Sequence, residues 1–163
     1  MKIMIFRIDE RLIHGQIITS WLQYAEAEQI LVINDQAAKD NLRQTLLKMT
    51  TPKDIKLQIL TINEGQKLIK NDDNNLKTLL LVENAQDADK IIDNIKYLNS
   101  INVGNQNMKK GKIKILDNFW LYKEDIEAFK SLREKNIRCE FRTVPNDHSQ
   151  DVFELIKKVV YKN

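Results

Sequence analysis

Ile30-Leu31-Val32-Ile33-Asn34-Asp35 sets four apolar residues in unbroken succession and closes them with two residues that favour turns. A strand with one solvated face alternates apolar and polar residues. An unbroken run therefore describes a strand buried on both faces, as in a parallel sheet. Similar runs recur on either side, at Ile3 to Phe6, Leu57 to Leu60 with polar Gln58, Leu79 to Val82 and, more briefly, Ile101 to Val103. Between them apolar residues fall at helical spacing: Ile17, Trp21 and Tyr24; Leu42, Leu46 and Met49; Leu68 and Ile69; Ile91, Ile92 and Ile95. The alternation predicts an α/β fold over residues 1–163, a single-domain open, mostly parallel β-sheet with helices on both faces.

Turn chemistry agrees. Asn34-Asp35 precedes the second helix, Thr51-Pro52 follows it, Asn63 with Glu64 opens the third, and Asp72-Asp73-Asn74-Asn75 forms a polar surface loop. Further on, Lys112-Ile113-Lys114-Ile115 alternates like a half-exposed edge strand, and Lys123 to Lys135 reads as a helix through Ile126, Phe129 and Leu132. Ile137 to Val144 reads as a last strand with its odd positions buried, and Val152 to Val159 as a closing helix.

Composition narrows the function classes. With 163 residues, 42% apolar and 30% charged, the chain suits one soluble globular domain. A net charge of +3 does not point to nucleic acid. The first apolar run is broken by Arg7 and Asp9, so neither a signal peptide nor a membrane span is expected, and a cytoplasmic setting is. The single cysteine, Cys139, excludes an intramolecular disulfide and a multi-cysteine metal cluster; it falls on an apolar strand face and reads as packing.

The candidate chemistry lies at the end of the first strand, in Arg7-Ile8-Asp9-Glu10-Arg11-Leu12-Ile13-His14-Gly15-Gln16. Ligands of open α/β sheets bind beyond the carboxyl ends of strands. A neutral imidazole nitrogen is nucleophilic near pH 7, so His14 suits phosphoryl acceptance. A phosphoryl group brings about two negative charges, which the planar forks of Arg7 and Arg11 would meet. Gly15 lets backbone approach without a side-chain clash, and the helix opening near Gln16 adds a positive dipole. Asp9 or Glu10 can hold one ring nitrogen and leave the other to attack. The plain alternative is a solvated ion-pair cluster with His14 merely opening a helix. A metal site is disfavoured, because no second histidine lies nearby and the arginines repel a cation.

Other residues carry paired readings. Asn34 and Asp35 end a strand and so face the same crevice, or Asp35 is a helix N-cap. Arg142 is a third positive group or an exposed ion pair. Trp21 and Tyr24 read as core, and Phe119, Trp120 and Tyr122 as an exposed patch or a buried connector. His148 between Asp147 and Ser149 does not make a hydrolase triad by adjacency alone. No Gly-rich loop follows a strand, which disfavours a nucleotide or flavin protein.

The segment Arg7 to Gln16 resembles the active-site signature of the IIB subunits of the mannose/fructose/sorbose family of the phosphoenolpyruvate-dependent sugar phosphotransferase system. The resemblance continues through Ser20-Trp21, Val32-Ile33-Asn34-Asp35 with Ala38 and Asp40, Leu46-Leu47-Lys48-Met49, Asn102-Val103-Gly104, Glu124-Asp125-Ile126 and Arg142-Thr143-Val144-Pro145. It departs at Asn105-Gln106-Asn107-Met108, where the family often has a second glycine and a methionine. The resemblance implies that His14 carries phosphate on Nδ1, taken from a histidine of a IIA domain and passed to a sugar held by membrane IIC and IID subunits. It implies no metal or organic cofactor, and a homodimer. A IIB-like regulatory module that senses phosphorylation without phosphorylating sugar is the alternative.

Overall fold

The computed structural model describes residues 1–162. In chain order the strands are β1 (Lys2–Ile8), β2 (Gln29–Ile33), β3 (Lys56–Leu60), β4 (Lys77–Val82), β5 (Ser100–Val103), β6 (Ile113–Leu116), β7 (Phe119–Leu121), β8 (Arg138–Phe141) and β9 (Gln150–Asp151). The helices are α1 (Leu22–Tyr24), which continues a π-wound turn at Ile17–Trp21, then α2 (Asn41–Thr50), α3 (Ile62–Asn71), α4 (Ala85–Ile92), α5 (Lys123–Glu134) and α6 (Val152–Val160). Among the described residues seven strands form one sheet in the order β3-β2-β4-β1-β5-β8-β9. All its pairings are parallel except that of β8 with β9.

This order determines where the helices go. The chain moves one way along the sheet from β1 to β2 to β3, then the other way from β3 to β4, β5 and β8. Right-handed crossovers place helices on opposite faces for opposite directions. Accordingly Trp21, Leu22 and Leu47 pack on one face with Ile30, Val32, Leu79 and Leu81. Residues of α4, α5 and α6 pack on the other with Phe6, Ile8, Leu31, Ile33, Leu80 and Val82. The opening run behaves as its composition demands: Ile30 to Ile33 and Leu79 to Val82 are wholly buried. Gly65 in α3 is required by packing, because a Cβ there would lie 2.4 Å from Ile33 Cδ1.

Several local expectations need correction. The strand β3 lies at the sheet edge and is only half-buried, since no strand among the described residues pairs with its outer side. The alternating segment at Ile113 pairs with β7 in a separate antiparallel hairpin rather than on the main sheet. A short β9, unforeseen because only two residues pair, follows the strand expected to be last. The third helix is opened by a capping box of Thr61 with Glu64, not by Asn63. The polar loop at Asp72 to Asn75 is present as expected, tied down by Asp72, which accepts from Asn74 and lies 3.5 Å from the N-terminal ammonium. Tyr24 is exposed, and so is the helical stripe Leu42, Leu46 and Met49, while Leu47 is the residue α2 buries. Phe119 is a buried connector and not a surface patch.

Candidate functional site

The strand β1 sends its chain to one face of the sheet, and its neighbours β4 and β5 send theirs to the other. The carboxyl end of β1 is therefore a topological switch point, where loops diverge and leave a crevice. Arg7 leaves β1 opposite Leu81 on one side and Asn102 on the other. It is fully buried, a costly position for a guanidinium unless every N–H is matched.

Every one is matched. Nε and Nη2 donate to Asp9 Oδ2 at 3.3 and 3.2 Å. Nη1 donates to Asn102 Oδ1 and to the Arg142 carbonyl, the latter at 2.9 Å. The second Nη2 proton goes to the Thr143 carbonyl at 3.3 Å. The Trp21 ring covers the guanidinium at 4.5 Å, and its Nε1 donates to the same Thr143 carbonyl at 3.0 Å. Burial pulls the Arg7 pKa down, and Asp9 opposes that shift.

Asp9 is the junction. Its Oδ1 accepts the Arg11 backbone N–H at 3.1 Å, and Oδ2 lies 2.9 Å from His14 Nε2. A carboxylate accepts, so Nε2 carries the proton and Nδ1 holds the lone pair. His14 Nδ1 has no hydrogen-bond partner among the described residues, and the side chain is 11% exposed. The loop returns the ring to Asp9 through a turn in which Leu12 N–H donates to the Asp9 carbonyl at 3.0 Å. Leu12 holds φ of 59° and is buried, a left-handed conformation that costs a branched residue about 1 kcal/mol or more and persists because packing holds it. Glu10 takes no part in holding the ring; its Oε1 accepts the Asn107 N–H at 2.9 Å.

The structure sorts the expected site residues. Arg7 has no N–H left for an incoming anion, since Asp9, Asn102 and the Arg142 and Thr143 carbonyls take all of them. Arg11 is exposed, and its guanidinium makes no hydrogen bond or ion pair among the described residues. Gly15 is exposed and a Cβ there would meet nothing within 4 Å, so no internal clash explains it. Gln16 lies at the helix start in αR conformation with no side-chain cap bond. Asn34 caps the turn Ala37–Lys39 through its Oδ1, at 2.8 Å from Ala37 N. Asp35 instead accepts the Ile62 N–H that begins α3, at 2.9 Å, so it is not the cap of the helix that follows it; Asp40 caps α2. Both lie beyond β2, with β4 between them and β1, and neither bonds His14. Arg142 supplies its carbonyl to Arg7, while its guanidinium turns to Glu140 at 3.5 Å and to the Pro145 carbonyl at 3.3 Å.

Four residues were given no catalytic role by the sequence reading: Trp21, Asn102, Gly104 and Thr143. The glycine is required by the cluster, since a Cβ at Gly104 would lie 2.3 Å from Arg7 Nη2 and 2.8 Å from Asp9 Oδ2. The Asn102-Val103-Gly104 and Arg142-Thr143 steps at strand ends were the available signal. Elsewhere, His148 is exposed and Asp147 accepts the Thr143 and Val144 backbone N–H groups instead of facing it. Cys139 is buried, which pushes its thiol up to about 12 and leaves it inert. No described helix is long and apolar enough to cross a membrane.

Known proteins with this fold carry the comparison further. A family model described as the PTS system sorbose subfamily IIB component matches residues 3–163. The fructose-specific EIIB component of Bacillus subtilis is 30% identical over 160 residues, 98% of each chain. The sorbose-specific EIIB component of Lacticaseibacillus casei is 30% identical over 99% of each. The mannose-specific EIIAB component of Escherichia coli is 31% identical, and the chain spans 50% of its length. The crystal structure of the IIBSor domain of the sorbose permease from Klebsiella pneumoniae superposes with a TM-score of 0.93 at 27% identity, covering 99% of this chain and all of that one. The chain belongs to the sorbose subfamily of IIB components of the phosphotransferase system.

Proposed function

We propose that this chain is a phosphocarrier that accepts a phosphoryl group on His14 Nδ1 from a IIA phosphohistidine and transfers it to a sugar held by IIC and IID membrane subunits. One observation carries the reading: Asp9 Oδ2 holds Nε2 at 2.9 Å and leaves the Nδ1 lone pair for attack. In the first step Nδ1 attacks phosphorus in line as the P–N bond of the donor breaks, and the electron pair returns to the donor imidazole. The phosphorylated ring gains positive charge, which Asp9 stabilises through Nε2. Arg11, exposed and unpaired, is the cation available to the phosphoryl oxygens, while Arg7 keeps Asp9 in place. In the second step a sugar hydroxyl oxygen attacks phosphorus, its proton is released, and His14 leaves.

The donor is a protein phosphohistidine, so the relay calls for no nucleotide. A IIA partner is supported by the mannose-specific EIIAB relative, whose name joins IIA and IIB in one protein. The same reading places the chain in the cytoplasm, at the membrane transporter, as a homodimer. The test is intact-mass and peptide mapping after incubation with phosphoenolpyruvate, enzyme I, HPr and the matching IIA. One acid-labile phosphate on His14, absent in His14→Ala, is expected. Failure to label beside a IIB control labelled by its own IIA would overturn the reading. Labelling without sugar phosphate in the reconstituted transporter would leave a phosphorylation sensor.

A further inference from the structure

Lys112 is a lysine turned inward, with its side chain only 4% exposed. Lysine is almost never buried unless it is paired, because its ammonium gives up strong hydration. Three separate segments supply what it meets. Nζ lies 3.7 Å from Glu10 Oε2 in the histidine loop, donates to the Asn107 carbonyl at 3.0 Å in the segment after β5, and stands 5.2 Å from the Tyr122 ring at the start of α5. Asp125 feels the same charge, but it already accepts hydrogen bonds from the Tyr122 N–H and the Gln86 side chain. Glu10 is therefore the carboxylate that Lys112 matches.

The contacts close a triangle. Asn107 is held at both ends of its backbone, its N–H donating to Glu10 Oε1 at 2.9 Å and its carbonyl accepting from Lys112. The preceding Gln106 is tied in turn to the β6–β7 hairpin, donating to the Asn118 carbonyl and accepting from Trp120 N–H. Glu10 is thus fastened to a fixed part of the fold. Its sequence neighbours are Asp9, which holds His14 Nε2, and Arg11, whose N–H returns to Asp9 Oδ1. Two adjacent free carboxylates beside His14 would repel a phosphoryl dianion. Arg7 matches Asp9 and Lys112 matches Glu10, so the loop presents neither as free charge. Without its cation Glu10, whose side chain is 11% exposed, is an unmatched buried charge, and its escape to solvent would draw Asp9 and Arg11 out of place.

We propose that Lys112 is a positioning residue for phosphoryl transfer to His14, acting through Glu10: it keeps the run from Asp9 to Arg11 in place and cancels the carboxylate that Arg7 does not pair. This role rests on the phosphate relay proposed above. Lys112 makes no bond to the ring and is too buried to meet an incoming donor, so its effect belongs to the transfer step and not to docking.

Quenched-flow labelling of His14 over a range of phosphorylated IIA concentrations tests this. Lys112→Met, under conditions where it is folded, is expected to lower the saturated rate by about tenfold or more and to move the half-saturating donor concentration by less than about threefold. Glu10→Gln keeps an acceptor for the Asn107 N–H and removes the charge. Added to Lys112→Met, it is expected to restore the saturated rate to within about threefold of the unaltered chain. A native saturated rate in Lys112→Met overturns the proposal, as does an effect confined to the half-saturating concentration or a double variant as slow as the single one. Should Lys112→Met lose its native spectrum, the double variant decides, and a saturated rate below the expected range is fatal. An unaltered chain that takes no label while a IIB control does would sink the relay and this role together. Native transfer by Lys112→Met would sink this role alone.

Discussion

Two buried charge clusters sit along the same carboxyl edge of the sheet, and they are built on opposite terms. At the end of β1, Arg7 and Asp9 lie fully inside, yet every guanidinium N–H is matched and Asp9 is neutralised. Beyond β2 and β4, Asp87 is buried at the start of α4 with Asp35 and Glu83 nearby. Burial pushes its carboxyl up to about 6; Lys90 and a hydrogen bond from the Asn34 side chain oppose the shift without cancelling it, while Asp35 and Glu83 add to it. Matched charge yields a rigid mount for a histidine, whereas incompletely matched charge yields a carboxyl that resists ionising.

Breaking the matched cluster should cost most. Arg7→Met leaves Asp9 buried without its cation, and a loss of about 3–5 kcal/mol is expected in urea unfolding. His14 labelling should fall with it even under conditions where the variant stays folded, because Asp9 no longer holds Nε2. Stability close to that of the unaltered chain would show that the cluster is not charge-matched as described. Gly104→Ala tests the same cluster from outside. The added methyl must displace Arg7 or Asp9, an overpacking loss of about 1–3 kcal/mol. A variant with native stability and native labelling would remove Gly104 from the design.

The incompletely matched cluster should respond in the opposite sense. Because the folded protein raises the Asp87 pKa to about 6, it binds the proton more tightly than the unfolded chain does. The stabilisation from this group is full below the ordinary carboxylate value of 3.8 and is lost as pH rises through about 6. Asp87→Asn should therefore raise stability at pH 7 by on the order of 1–2 kcal/mol and change it little at pH 4. Urea midpoints at the two pH values measure this, and an equal effect at both would refute it.

How far the sequence carried this contrast depends on the kind of signal. The sheet was legible because buried parallel strands write themselves as unbroken apolar runs, as Ile30 to Ile33 and Leu79 to Val82 do. The two-residue β9 has no periodicity to detect. The stripe of Leu42, Leu46 and Met49 has helical spacing but faces outward, since spacing reports a face without saying what that face meets. In the site, His14 was legible from its position after a strand. Asp9 and Glu10 were equivalent until the turn at Leu12 returned the ring to one of them. Asn102, Gly104 and Thr143 lie 95 to 136 residues from Arg7, and only the sheet order brings them to it.

The two arginines sharpen the comparison with the smallest expected change in stability. Both were read as phosphate forks, yet one is enclosed with its donors occupied and the other is exposed. Arg11→Ala removes a solvated side chain, so stability should shift by no more than about 0.5 kcal/mol. If Arg11 meets the phosphoryl oxygens, its loss should slow phosphate transfer to His14 by about tenfold or more, as for other removed charge stabilisers. Quenched-flow labelling with IIA phosphate as donor measures this. An unchanged rate would leave Nδ1 without a cation from this chain, and the partner would then have to supply the positive charge that transfer requires.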